Sequence, residues 1–306
     1  MAGKRRFYVS AAVFLLALAL GVVLFISGRA QVCWAILVHK MISVDVECNL
    51  ESEATEVKSP LLRTCSLERN PDSAEFWIAH GGGIGEYVYS NSREAVQDSL
   101  SRGFKYIELD LLTTTDGFLI GGHDWKTVRK LAGIENQEDV PLSCSELMAA
   151  RSTWTQTFLF ADDICRLMRE NPQMILVTDK IQDFEFLIRE IPYADRMVVE
   201  AYDCYKYLRA LRAGFKNVAL TVWSEQGMKQ ARKYKLKGVV LSATVIETDA
   251  AAMKLAEEMH QEGCCFMVHW SSIADKPAFI QRHLGKCISR IYTDTWSPKE
   301  PPPCGG

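Results

Sequence analysis

Hydrophobic and polar positions divide the chain into three stretches of different character. Residues 7–27 are an unbroken apolar and small-residue run without a charge, long enough to cross a bilayer as a helix at about 1.5 Å per residue. Lys4, Arg5 and Arg6 precede the run and only Arg29 follows it, so the positive-inside bias predicts a cytoplasmic N-terminus and an extracytoplasmic remainder. The run exceeds the apolar region of an ordinary signal sequence, about 7 to 15 residues, which favours an uncleaved anchor over residues 1–30 against cleavage near Gly28-Arg29-Ala30. Residues 31–73 begin with a short apolar patch at 32–38 and turn acidic through Asp45, Glu47, Glu51, Glu53 and Glu56; they read as a stem.

From residue 74 to 298 the pattern changes again. Short β-rich runs recur at 76–80, 106–111, 118–121, 174–178, 197–201, 218–222, 239–241, 266–269 and 291–293. From the fourth run onward their spacing suits a strand plus a crossover helix. Helix signals fill the gaps: Asn91 with Glu94 three positions on resembles a capping box for a helix ended by Gly103, and Asp249 opens a second helix that Gly263 stops. Only four residues, including Asp116-Gly117, separate Thr113 from Phe118, too few for a parallel crossover, so the third run returns as a hairpin. Eight parallel strands remain. The expectation is a (β/α)8 TIM barrel with a β-hairpin after strand 2, preceded by an N-terminal transmembrane helix; a doubly wound open sheet is the alternative. Residues 299–306 read as a flexible tail.

Composition adds exclusions. With 35 basic against 38 acidic side chains and 48% apolar residues, the chain is neither disordered nor a dedicated nucleic-acid binder. Its ten cysteines form no CxxC or zinc pattern, and export would permit pairing; Cys165, Cys204, Cys264 and Cys265 lie in apolar elements and read as small core residues.

Catalytic groups of a parallel barrel project from the C-terminal strand ends. His80 ends the first run, and Gly81 after it lets a ligand approach the main chain. Glu108 and Asp110 are two apart, so strand alternation turns both carboxylates to the barrel interior, where they repel unless a cation joins them or one is protonated. An all-oxygen set points to one divalent cation, Mg²⁺ or Ca²⁺. His123 returns on the hairpin and Lys180 ends the fourth run. One metal, two histidines and a lysine suit phosphoryl chemistry.

The same residues resemble a known family. Ile78-Ala79-His80-Gly81-Gly82, Asn91-Ser92, Gly103, Ile107-Glu108-Leu109-Asp110, Thr115-Asp116-Gly117 and His123-Asp124 are similar to the signature of glycerophosphodiester phosphodiesterases, part of a wider group of phospholipase-like TIM barrels. Strand ends at 176–180, 199–203 and Tyr292-Thr293-Asp294 support the likeness. It implies His80 and His123 as the acid/base pair, Glu108 and Asp110 as metal ligands and Lys180 on the phosphate.

The chain departs from the family pattern at three positions. Gly81 stands where the family carries Arg, Ser90 where it carries Glu, and Thr178 where it carries the acid two residues before the lysine. Alternation aims Asp179 away from Lys180. Either Asp179 enters through a bulge, or two carboxylates and water hold the metal, or the metal is lost. Glu200 is a substitute acid and Tyr202 a substrate wall at the fifth strand end, with Trp270 a further wall. The implied function is a membrane-anchored extracytoplasmic phosphodiesterase acting on glycerophosphodiesters, phospholipid headgroups or glycerol-phosphate glycans; the alternatives are a barrel without turnover that serves as a scaffold, and a lyase releasing a cyclic phosphate.

Overall fold

The apolar runs fold into strands β1 (Trp77–Ala79), β2 (Tyr106–Glu108), β3 (Leu111–Thr113), β4 (Leu119–Gly121), β5 (Ile175–Thr178), β6 (Met197–Ala201), β7 (Val218–Val222), β8 (Gly238–Ser242), β9 (Cys265–His269) and β10 (Arg290–Thr293). These are seen in a computed structural model that describes residues 59–63, 71–134, 138–150, 156–269 and 271–302. Eight strands close a ring in the order β1-β10-β9-β8-β7-β6-β5-β2, every neighbour parallel. Because β1 pairs with both β2 and β10, no edge remains, and the open-sheet alternative is excluded.

The run at 106–111 is not one strand. It breaks after Glu108, and Leu111–Thr113 pairs antiparallel with Leu119–Gly121 outside the ring. The turn between them is held by Thr114 N donating to Phe118 O at 2.9 Å, with Gly117 at φ +87°. The hairpin thus carries the chain back toward the C-terminal ends of the strands.

Two apolar layers hold the barrel. Inside the ring lie Ile78, Tyr106, Val177, Val198, Ala219, Val240, Met267 and Tyr292; the outward strand faces pack under the helices in a larger cluster that includes Phe76, Phe184, Phe215 and Phe266. Helix α1 (Pro60–Arg63) belongs to this interior rather than to a stem. Leu62 is fully buried in the interior cluster, and a β-carbon on Gly238 would lie 2.6 Å from its Cδ1. Leu61 N donates to Asn217 Oδ1 at 3.0 Å. The fully buried Arg290 guanidinium lies over the Tyr106 ring at 3.7 Å and donates to Glu75 O at 2.9 Å.

Two more boundaries differ from expectation. Helix α2 (Arg93–Ser101) is capped by Ser92, whose hydroxyl accepts from Ala95 N at 3.1 Å, one position later than the Asn91 expected. At the other end of the chain, Lys299 Nζ donates to Ser101 O at 2.6 Å and Pro302 is buried, so the tail packs on the barrel beyond residue 298. The helix at Ala250–Gln261 is capped by Asp249 as expected. Cys165, Cys264, Cys265 and Cys287 are free thiols. Among the described residues no helix is long and apolar enough to cross a membrane; the run at 7–27 lies outside them.

Candidate active site

His80 follows β1 at the start of a tight turn, His80–Gly82. Its Nδ1 lies 2.9 Å from Asp294 Oδ1, and Asp294 directly follows β10. Asp294 is itself placed by its N–H, which donates to Asp275 Oδ2 at 2.8 Å. Burial raises the Asp275 carboxyl to about 6, against hydrogen bonds from Thr293 and Asp294 that favour its charge.

The hairpin delivers the second imidazole. His123 Nδ1 lies 2.6 Å from Asp124 Oδ2, while the other Asp124 oxygen accepts from Thr127 N at 2.6 Å and caps helix α3 (Trp125–Leu131). Burial raises Asp124, but the bonds from His123 and Thr127 outweigh it and hold the carboxyl below its ordinary range. With each Nδ1 engaged by a carboxylate, Nε2 is the ring nitrogen each histidine has left for proton transfer.

Beside them stand three carboxylates. Glu108, Asp110 and Asp179 offer oxygens that all lie within 4.8 Å of one another. Glu108 and Asp110 are 4% and 3% exposed. Glu108 accepts from Gly81 N at 2.7 Å, and Asp110 exchanges two bonds with Asn91: its N–H donates to Asn91 Oδ1 at 2.9 Å, and Asn91 Nδ2 donates back at 3.2 Å. Asp179 joins the group without a bulge, because β5 ends at Thr178 and alternation no longer governs the residue after it. Tyr202 donates its hydroxyl to Asp179 Oδ2. Lys180 Nζ approaches Asp110 Oδ1 to 3.6 Å, so Asp179 and Lys180 both face the acidic cluster.

The electrostatics describe a cluster short of positive charge. Burial, then the charges of Asp110 and Asp179, push Glu108 well above the ordinary carboxyl range. Asp179 is raised by burial and Asp110, and Glu200 rises to about 8 from burial and Asp179. Asp179 Oδ1 is buried with no hydrogen-bond partner among the described residues. An oxygen-only trio with an orphaned carboxylate oxygen fits a hard divalent cation.

Other expected residues take different places. Glu200, expected against substrate, is instead 6% exposed, accepts from Thr221 Oγ1 at 3.1 Å and is bonded by Tyr292 Oη, so its carboxyl is engaged within the barrel. Trp270 lies outside the described residues. Asp294 was legible at a strand end, whereas Tyr89 gave no periodic signal. Its ring centroid lies 4.5 Å from His80 and 5.0 Å from His123. His269, at the end of β9, is lowered to about 4 by burial and then by His80, and its ring meets Trp223 at 4.9 Å.

No family model matches the chain, and no curated protein matches its sequence. Solved structures do share its fold. A glycerophosphodiester phosphodiesterase from Thermotoga maritima superposes with a TM-score of 0.58 at 15% identity, over 72% of this chain and 94% of that one. A glycerophosphoryl diester phosphodiesterase from Parabacteroides distasonis gives 0.58 at 14% identity, covering 78% and 88%. An Oleispira antarctica phosphodiesterase, solved with its product sn-glycerol-3-phosphate, gives 0.54 at 10% identity, covering 72% and 92%.

Proposed function

From the barrel fold shared with those phosphodiesterases, we propose that this chain hydrolyses phosphoric diesters of the glycerophosphodiester type. The observation that carries the reading is the pairing of two carboxylate-anchored imidazoles, His80 and His123, beside the Glu108–Asp110–Asp179 trio. One Nε2 takes the proton of the attacking hydroxyl or water. The other delivers a proton to the leaving alkoxide. Asp294 and Asp124 hold the rings and stabilise whichever imidazole is charged. Lys180 draws the non-bridging phosphate oxygens toward the cluster.

Glu108, Asp110 and Asp179 would hold the cation, Mg²⁺ or Ca²⁺, which when bound supplies positive charge to the phosphate. The apolar run at 7–27 and its basic flank support a barrel held at a membrane on the extracytoplasmic side, which protease accessibility of the full chain in sealed vesicles tests.

The deciding assay uses full-length protein against soluble glycerophosphodiesters and lipid diesters, with and without chelator. His80→Ala and His123→Ala each abolish turnover on this reading. Unchanged hydrolysis in both variants would overturn it, and a cyclic phosphate in phosphorus NMR of the products would mark a lyase.

A further inference from the structure

Gly81 and Tyr89 are fitted to each other. Gly81 adopts φ +55° while its N–H binds Glu108, and a β-carbon there would lie 2.6 Å from both Cα and Cδ2 of Tyr89. No side chain fits at position 81 while Tyr89 stands where it does. The backbone around Tyr89 is equally constrained. Tyr89 and Asn91 are both non-glycine residues with positive φ, +57° and +52°. Such conformations persist where the surroundings over-determine them. Here Asn91 N donates to Gly81 O at 2.7 Å, and the Asn91 side chain is locked onto Asp110.

This places one aromatic ring against both imidazoles, tilted 54° to His80 and 46° to His123. Each histidine is therefore fixed twice, by a carboxylate at Nδ1 and by Tyr89 at its ring. The Tyr89 hydroxyl has no hydrogen bond among the described residues, and the charges of Asp110, Glu108, Asp179 and Asp294 act on it. Burial, then the charges of Asp110 and Glu108, raise the hydroxyl above the ordinary phenol range.

We propose that Tyr89 positions the two imidazoles relative to each other with its ring and donates its hydroxyl to a non-bridging oxygen of the bound phosphodiester. This rests on the phosphodiesterase reading. A neutral donor then occupies the space that a side chain at position 81 would otherwise fill, and Lys180 and the cation bring positive charge to the phosphate.

The two functions separate by substitution in the full chain, assayed on sn-glycero-3-phosphocholine. Y89F keeps the ring and loses the donor. It raises KM by about tenfold or more, the range of a hydrogen bond to a charged group, with the kcat–pH profile intact. Y89A loses the ring, so kcat falls about 100-fold and both limbs of the pH profile move, as expected when reacting groups shift by about an ångström. Wild-type KM in Y89F together with an unmoved pH profile in Y89A overturns the proposal. If the wild type hydrolyses no diester, the phosphodiesterase reading has failed, and binding of sn-glycerol 3-phosphate decides the donor role by calorimetry: weakened in Y89F supports it, unchanged overturns it.

Discussion

His80 and Asp294, 214 positions apart in sequence, meet with Nδ1 2.9 Å from Oδ1. Their meeting depends on ring closure, since β1 and β10 are neighbours only when the barrel is complete. The carboxylate fixes the tautomer and aim of the imidazole, and Asp275 fixes the carboxylate in turn. Asp294→Asn is expected to lower kcat/KM on the order of 100-fold or more while leaving the melting temperature within a few degrees of wild type. A loss below twofold would remove Asp294 from the mechanism.

The acidic cluster sets a pH dependence that the cation controls. Glu108, Asp179 and Glu200 all have folded-state values raised above an ordinary carboxyl, the last to about 8. A raised value contributes stability that is complete below about pH 4 and is lost as pH rises through the folded-state value. Protein in chelator should therefore melt at progressively lower temperature from pH 5 to pH 8. Added Mg²⁺ or Ca²⁺ should flatten that slope, because the ionised carboxylates gain a partner. Identical slopes with and without cation, in scanning calorimetry, would argue against metal at this site.

Lys180 Nζ lies 3.6 Å from Asp110 Oδ1, and on the proposed function it also meets the phosphate. Lys180→Gln removes the charge and keeps much of the length, and it should lower kcat/KM about 10- to 100-fold, mostly through transition-state charge. It should also weaken the pull on Asp110, leaving that carboxylate freer for a cation. Calorimetric titration with Mg²⁺ checks the second effect: weaker cation binding in the variant would contradict it.

Below the barrel, Leu62 and Gly238 share one space. Leu62→Ala should cost about 2–5 kcal/mol, as for other fully buried leucines. Gly238→Ala should cost about 1–3 kcal/mol by overpacking against Leu62 Cδ1. The double variant should lose less than the two losses added together, since the new methyl group enters the space Leu62 leaves. Urea denaturation of all four proteins measures the cycle, and strict additivity would show that the two side chains do not compete.

Much of the barrel was legible because a strand buried on both faces reads as an apolar run, and eight such runs recur with room for helices between them. His80, Glu108, His123 and Lys180 were legible because strand ends announce themselves. Asp179 was harder: alternation turns it away, and only the end of the β5 ladder at Thr178 brings it in. Helix α1 escaped because four residues leave no period to detect, and the acidic stretch before it suggested a stem. Tyr89 escaped for a different reason. Its place follows from a left-handed turn and from a missing side chain at Gly81, neither of which has a periodic signature.

The buried plug also has an order in time. Leu61 and Leu62 are made before every strand of the ring, yet Leu61 binds Asn217 and Leu62 lies in the interior cluster that includes Tyr292 of the last strand. Their docking site does not exist until nearly the whole ring has been synthesised and has closed. Contacts of such sequence separation form late and slowly. A segment made before the strands is thus seated after them, and a chain stalled before β10 has a stopper with no vessel to close.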